Sequence, residues 1–470
     1  MSVGKLAWKA FGSTDIGGGR ENQDDFFVWE NPERGLVVTG VLDGHGRDVG
    51  KVAAMVGTSY LKTFCENNQD LLESNAFDFM VRGITEAHEA IREGFMKALT
   101  GKGYEVKQTE EGYLVKRKSS KSQWVCVHGG TSCSVVALVG TQLYTANVGD
   151  STGILSASKP VLHDSMLQFV GDSAELERKT SSMEQASDET TNTLVITSDH
   201  SPESPVEFCR MRSFRTREND PQQPALLVVY DASQQDKSRC PPVFELDSGG
   251  IPIVTNRGSY YKNVRREWAS LVAAPPYAKF QDALAFTRSI GDFHLHIYGV
   301  SEKPEVHCVD LKPILLRLAS SGAYTPAKRS APVSPSKPAA NTVASSPGKT
   351  GVSPMRLRGE RISPMDTDEN GKMENSGEGL SVDPTQFPAL CVVLASDGIW
   401  DNWEYADVSN FVMNPVNAVG GGDGTGVERA VQSSKALIKS NAGHASRNFG
   451  DQADNATGVV MFIQPTELSL

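Results

Sequence analysis

The chain has 470 residues, 39% of them hydrophobic before its 43 glycines are counted, enough for one large domain or two to three ordinary ones. Its formal net charge is −11, with 57 acids against 46 Lys and Arg, which argues against general nucleic-acid binding through a basic face. Its seven cysteines are odd in number, form no C-x-x-C pair and lie partly in apolar runs. They read as buried free thiols in a reducing compartment, not as disulfides or zinc ligands.

In chain order, residues 35–42 read as a buried strand, and helical runs follow at 48–64 and 79–99. In the second run Phe79, Ile84, Ala87, Ile91, Phe95 and Leu99 recur at the spacing of an amphipathic helix. Residues 133–151 are two apolar stretches split at Gly140-Thr141, a hairpin pattern. A short strand is expected within 191–202, a strongly buried one within 387–400, a helix over 426–440 and a last strand at 455–463. Residues 152–190, which include the acidic run GDSAELERKTSSMEQASDETTN, read as a surface insertion. Residues 208–283, with Tyr260, Tyr261, Trp268 and Tyr277, read as an ordered excursion. Residues 319–386 are rich in Ser, Pro, Gly and charge, and too poor in large apolar groups to offset the entropy of ordering. That leaves a single domain, 1–318 with 387–470, around a disordered insertion. Strands in hairpin-like pairs without βαβ alternation make the fold class α+β, antiparallel sheets with helices outside. The N-terminus lacks the apolar region of a signal peptide, no run reaches transmembrane length, and Gly4 is out of place for myristoylation. A cytoplasmic or nuclear protein with no membrane partner is expected.

The acids carry the chemistry. Asp43 ends the first strand in LDGHG, Asp397 ends another in ASDG, Asp150 follows TANVG, Asp454 precedes the last strand, and Asp24 precedes an apolar run. Any one of these reads as a turn residue. Gathered at one rim, they would repel one another unless a cation neutralised them. An all-oxygen donor set selects a hard metal, Mg²⁺ or Mn²⁺. His45, flanked by Gly44 and Gly46, titrates near working pH and has room beside it for a substrate.

NQDDF, LDGHG, GGTSCSVVALVGTQLYTANVGDS, TSDHSPESPVEFCRM, LAFTRSIGDFHLHIYGVSEKPEV, LASDGIWDN and DQADNATGVVMF occur in this order from about residue 15 to 464. In this the chain resembles the protein phosphatase 2C family, the metal-dependent serine/threonine phosphatases. The resemblance implies a four-layer αββα sandwich with the metals at one end. It implies that Asp43 bridges two metals, that Gly44 contributes its carbonyl, and that Asp24, Asp397 and Asp454 complete the pair. Asp150 and Asp401, with Asp397, match a weaker third site found in some members. His45 matches a general acid, which makes His45 and Asp43 the catalytic candidates. Phosphoserine and phosphothreonine in phosphoproteins would be hydrolysed, in signalling, by a water activated at a binuclear Mg²⁺/Mn²⁺ centre.

Animal-type members hold phosphate with an Arg five residues before the first metal Asp. Here Arg20 precedes Asp24 by four, so it is the phosphate-binding candidate one register out. Gln23 stands where many members have Glu, and Arg47 reads as a solvated surface residue, with contact to phosphate the alternative. Asp199, Glu207, Arg210, Arg288 and Asp292 read as structural, with Arg288 and Asp292 an internal ion pair. A catalytically weak pseudophosphatase serving as a binding module is the alternative, disfavoured because Asp24, Asp43, Asp397 and Asp454 are all present. A monomer is expected, acting on phosphoproteins. Ser334, Ser346, Ser353 and Ser363, each before Pro, offer sites to proline-directed kinases. DTDENG at 366–371 fails as a calcium loop because its twelfth position is Gly377, and GGGDGTG at 420–426 lacks the Lys of a phosphate loop.

Overall fold

The computed structural model describes residues 2–3, 5–171, 189–198, 200–215, 225–232, 234–320, 390–414, 426–466 and 468–469. Two antiparallel sheets form its centre. One runs in the order 168–169, Glu305–Asp310, Gln142–Val148, Cys133–Val139, Leu36–Leu42, Asp25–Asn31. The other runs Thr193–Val195, Thr152–Ala157, Leu390–Ala395, Ala456–Pro465, Leu6–Asp15.

Side-chain alternation along each strand sorts residues between layers. Val37 and Val41 pack between the sheets with Val136, Leu138, Val392, Leu394, Val459 and Met461. Leu36, Val38 and Leu42 face the other way, onto the helices Gly50–Asn67 and Ala76–Gly101. On the second sheet Cys391, Val393, Val460 and Phe462 turn toward the helices Tyr405–Met413 and Gly426–Asn448. All seven residues of Leu36–Leu42 are buried because both faces are covered. The layers therefore run helices, sheet, sheet, helices.

The Ala76–Gly101 helix buries all six of its periodic apolar residues, and Asn75 caps it by accepting from the Asp78 N–H at 3.1 Å. The hairpin turns at Gly140-Thr141, with Val139 opposite Gln142. Several expectations need correction. Thr152–Ala157 is a fully buried strand of the second sheet, so no insertion begins at 152. The strand Leu6–Asp15 closes that sheet along ten residue pairs with Ala456–Pro465. Its burial alternates only weakly, and its sequence carries no clear period of two. Residues 319–320 belong to the helix Leu311–Ser320, which shortens the polar segment at its start. The rest of 319–386 up to residue 386, with its Ser-Pro sites, lies outside the described residues, as do 172–188, Asp199, 366–371 and 420–425.

The excursion at 208–283 begins inside the helix Pro205–Ser213 and carries a three-stranded sheet of Leu227–Tyr230, Ser270–Ala273 and Ala283–Leu284. It has a core of its own, including Phe208, Met211, Val228, Tyr230, Phe244 and Phe286. Among the described residues, no helix is long and apolar enough to cross a membrane.

Candidate active site

The acids of both sheets meet at one end. Asp43 follows the Leu36–Leu42 strand, and Asp397 follows Leu390–Ala395 and opens a short helix, Asp397–Trp400. Asp43, Asp397 and Asp454 line a cleft of about 620 Å³ with Gln23, Gly44 and His45. Asp24 lies behind them, buried, where Ser396 Oγ donates to its Oδ2 at 2.9 Å. Asp43 is fixed by its neighbour Ser132: its N–H donates to Ser132 Oγ at 3.1 Å, and the Ser132 N–H donates back to its carbonyl at 2.9 Å. Asn455 accepts from the Gln23 N–H at 2.7 Å and donates to the Ile16 carbonyl at 2.8 Å, tying the Asp24 loop to the Asp454 loop.

Close packing raises the proton affinity of these carboxyls. Burial, then the charges of Asp24, Asp397, Asp454 and Asp150, hold Asp43 well above the usual carboxylate range. Burial, then Asp401 and Asp454, push Asp397 up to about 8. Asp24 is raised to about 6 by burial, with Asp454 adding to it and hydrogen bonds from Ser396 and Thr457 opposing it. Asp401 rises to about 7 through burial and the charges of Asp150 and Asp454, against Lys262 and Arg265. Asp24 Oδ1 and Asp397 Oδ1 are buried without a hydrogen-bond partner. Such a set fits divalent cations, which would satisfy the orphaned oxygens and reverse the repulsion. Gly44 fits the same role. A Cβ there would come within 2.4 Å of the Gly50 carbonyl oxygen and 2.5 Å of the Gln23 carbonyl oxygen, so no larger residue leaves this backbone in place.

A second feature is built by three short strands, Gly44–His45, Gly130–Thr131 and Ile290–Gly291, paired side by side. They carry His45 to Asp292, whose Oδ2 accepts from His45 Nε2 at 2.6 Å and from Ser289 Oγ at 2.5 Å. Asp292 is 1% exposed. Burial alone would lower the His45 affinity for a proton, but the Asp292 charge outweighs it and the net shift is upward. Gly46 turns the chain away with φ +101°, where a Cβ would meet Gly129 Cα at 2.4 Å.

The internal ion pair expected between Arg288 and Asp292 is absent. Arg288 instead bonds Glu207 and Glu305, with Nη2 at 2.5 and 2.8 Å from their Oε1 atoms. Asp292 serves His45, a partnership invisible in sequence because the two lie 247 residues apart. The only local hint was the SIGD motif itself. Both arginines are exposed, as expected for Arg47, but Arg47 is among the residues that line the cleft and Arg20 is not. Gln23 lines the cleft too, and its Nε2 donates to the Gly46 carbonyl at 3.1 Å. The excursion reaches the same end of the molecule. The Val264 N–H donates to the Asp401 carbonyl at 3.1 Å, and Arg265 donates to the carbonyls of Trp400 and Trp403.

Residues 36–217, which hold Asp43, His45 and Asp150, match the family model described as Protein phosphatase 2C. No curated protein matches the chain. Among solved structures it is similar to a serine-threonine phosphatase 2C of Toxoplasma gondii, at 13% identity and a TM-score of 0.49, covering 99% of this chain and 98% of that one. It is also similar to a sex determining protein of C. elegans (13%, TM-score 0.45, 99% and 66%) and to a serine/threonine phosphatase of S. agalactiae (14%, TM-score 0.39, 97% and 99%). At such identities and TM-scores the assignment rests on the family model and on the motifs in their order. Residues 36–217 are thus similar to the protein phosphatase 2C family, the metal-dependent protein serine/threonine phosphatases.

Proposed function

We propose that the cleft hydrolyses phosphoserine and phosphothreonine in phosphoproteins, with two divalent ions held by Asp24, Asp43, the Gly44 carbonyl, Asp397 and Asp454, and a weaker third by Asp150, Asp397 and Asp401. The observation that carries this reading is the convergence of these acids at one end of the two sheets, where Asp43, Asp397 and Asp454 line one cleft with His45. When bound, Mg²⁺ or Mn²⁺ lowers the pKa of water and screens the phosphate charge. The protein's own contribution is positional. Ser132 and Ser396 hold Asp43 and Asp24, so the donor set is ordered before any ion arrives.

A serine or threonine alkoxide is a poor leaving group and needs a proton. His45, which lines the cleft, supplies it: Asp292 bonds Nε2 and favours the charged ring, while Nδ1 is buried without a partner. Arg47 at the cleft replaces Arg20 as the residue proposed to meet phosphate. The pseudophosphatase reading is not favoured, because no metal acid is missing.

The test is hydrolysis of a phosphothreonine peptide with and without Mn²⁺, in wild type and Asp43→Asn, with a sugar phosphate in parallel. Mn²⁺-dependent peptide turnover lost in the variant is expected. Activity that needs no metal and survives Asp43→Asn, or a preference for the sugar phosphate, would overturn the proposal.

A further inference from the structure

Beside the carboxylate centre lies a donor set of different chemistry. Cys126, His128 and His294 each offer one ligand atom, and these atoms lie within 4.8 Å of one another. Asp282 is not one of these three but bonds both imidazoles: its Oδ2 accepts from His128 Nδ1 at 2.7 Å and from His294 Nε2 at 2.8 Å. The second nitrogen of His294 is buried with no hydrogen-bond partner, and that side chain is 3% exposed. Cys126 is buried at the end of the strand Val125–Cys126. His128 is 35% exposed and lines the cleft with Asp282, which gives an ion a way in.

We propose that Cys126, His128 and His294, with Asp282 orienting both imidazoles, form a binding site for a thiophilic divalent cation, of which Zn²⁺ is the type, distinct from the all-oxygen centre. One thiolate and two imidazoles match its preference for sulfur and nitrogen donors, and the carboxylate beside them completes the neutralisation of a divalent charge. Hard ions prefer the oxygen ligands of the neighbouring centre, so the two sites sort metals by chemistry. Donor atoms around tetrahedral zinc are about 3.3–3.7 Å apart, given bonds of about 2.0–2.3 Å. The set therefore has to close by about 1 Å, a rotamer adjustment. Binding forms a metal–sulfur bond and releases the thiol proton to solvent. An ion here ties the 125–131 run to the Phe293–His296 helix, the two segments that flank Asp292. The cysteine spacing hid this site, since Cys126 has no second thiol and its partners come from 128, 282 and 294.

The full-length, reduced, chelator-stripped protein is titrated with Co²⁺, whose thiolate charge-transfer and tetrahedral ligand-field bands report sulfur coordination, and is then challenged with Zn²⁺ or Mg²⁺. One Co²⁺ with both signatures is expected in wild type and in Asp43→Asn, displaced by Zn²⁺ and not by Mg²⁺. Cys126→Ser should abolish the charge-transfer band, and Asp282→Asn should weaken Co²⁺ binding roughly 10–100-fold. His128→Gln, at a partly exposed position, should lose the tetrahedral signature while remaining folded by circular dichroism. A folded wild type without the charge-transfer band, or a band that survives Cys126→Ser, would overturn the assignment.

Discussion

Replacing Arg288 with Met removes the guanidinium shared by two buried glutamates, leaving Glu207 with Arg210 and Glu305 without an arginine. Arg288 is 5% exposed, Glu207 2% and Glu305 6%. The guanidinium spans both acids and donates from Nη1 to the Lys303 carbonyl at 3.0 Å, while Thr287 Oγ1 donates to Glu207 Oε2 at 2.5 Å and Arg210 Nε to the same oxygen at 3.0 Å. Removing one member of a buried ion pair costs about 3–5 kcal/mol because the remaining charge has lost its partner in a medium that does not solvate it. With unfolding entropy near 2.1 cal/mol/K per residue over the roughly 360 described residues, that lowers Tm by about 4–7 °C. The effect depends on pH. Burial raises the Glu207 affinity for a proton, but Arg210 and Arg288 outweigh it and the group lies well below its ordinary 4.5. A carboxyl depressed in the folded state contributes stability that is present above its unfolded pKa and is lost as pH falls through the folded value. The deficit of Arg288→Met should therefore be full at pH 7 and narrow below about pH 4.5. Thermal unfolding followed by circular dichroism at pH 7 and pH 4 measures both. A variant as stable as wild type at pH 7, or an equal deficit at the two pH values, would refute the reasoning. Activity should fall as well, because Thr287 to Ser289 carry the chain to Asp292.

Asp43→Asn should lower phosphopeptide turnover by roughly 10³-fold, the loss of several kcal/mol of charge stabilisation, with weakened Mn²⁺ binding by equilibrium dialysis. Asp292→Asn should reduce kcat by roughly 10–100-fold with KM little changed, part of the 10²–10⁴-fold worth of general acid catalysis. Its combination with His45→Gln should be no slower than His45→Gln alone, and additive losses would separate the two residues. Arg47→Ala should raise KM by at most about fivefold, the worth of an exposed charge pair of up to about 1 kcal/mol, whereas Arg20→Ala should leave KM unchanged. If Arg20→Ala has the larger effect, the cleft has been assigned the wrong arginine.

What the sequence determined by itself is local or repetitive. The period of the Ala76–Gly101 helix, the hairpin at Gly140-Thr141 and the apolar runs ending at Asp43 and Asp397 are set by side-chain alternation and turn chemistry within a few residues. The rim of acids was legible too, because each acid sits in its own short motif. The polar strand Leu6–Asp15 was not, since its place comes from a partner more than 440 residues away and not from its own pattern. Nor were the partners of ionisable groups. Asp292 takes His45, Arg288 takes Glu207 and Glu305, and Cys126 meets two histidines, because buried charge and polarity pair with whatever the fold brings within hydrogen-bond reach. Which arginine faces the cleft was decided in the same way, by the turn after Gly46.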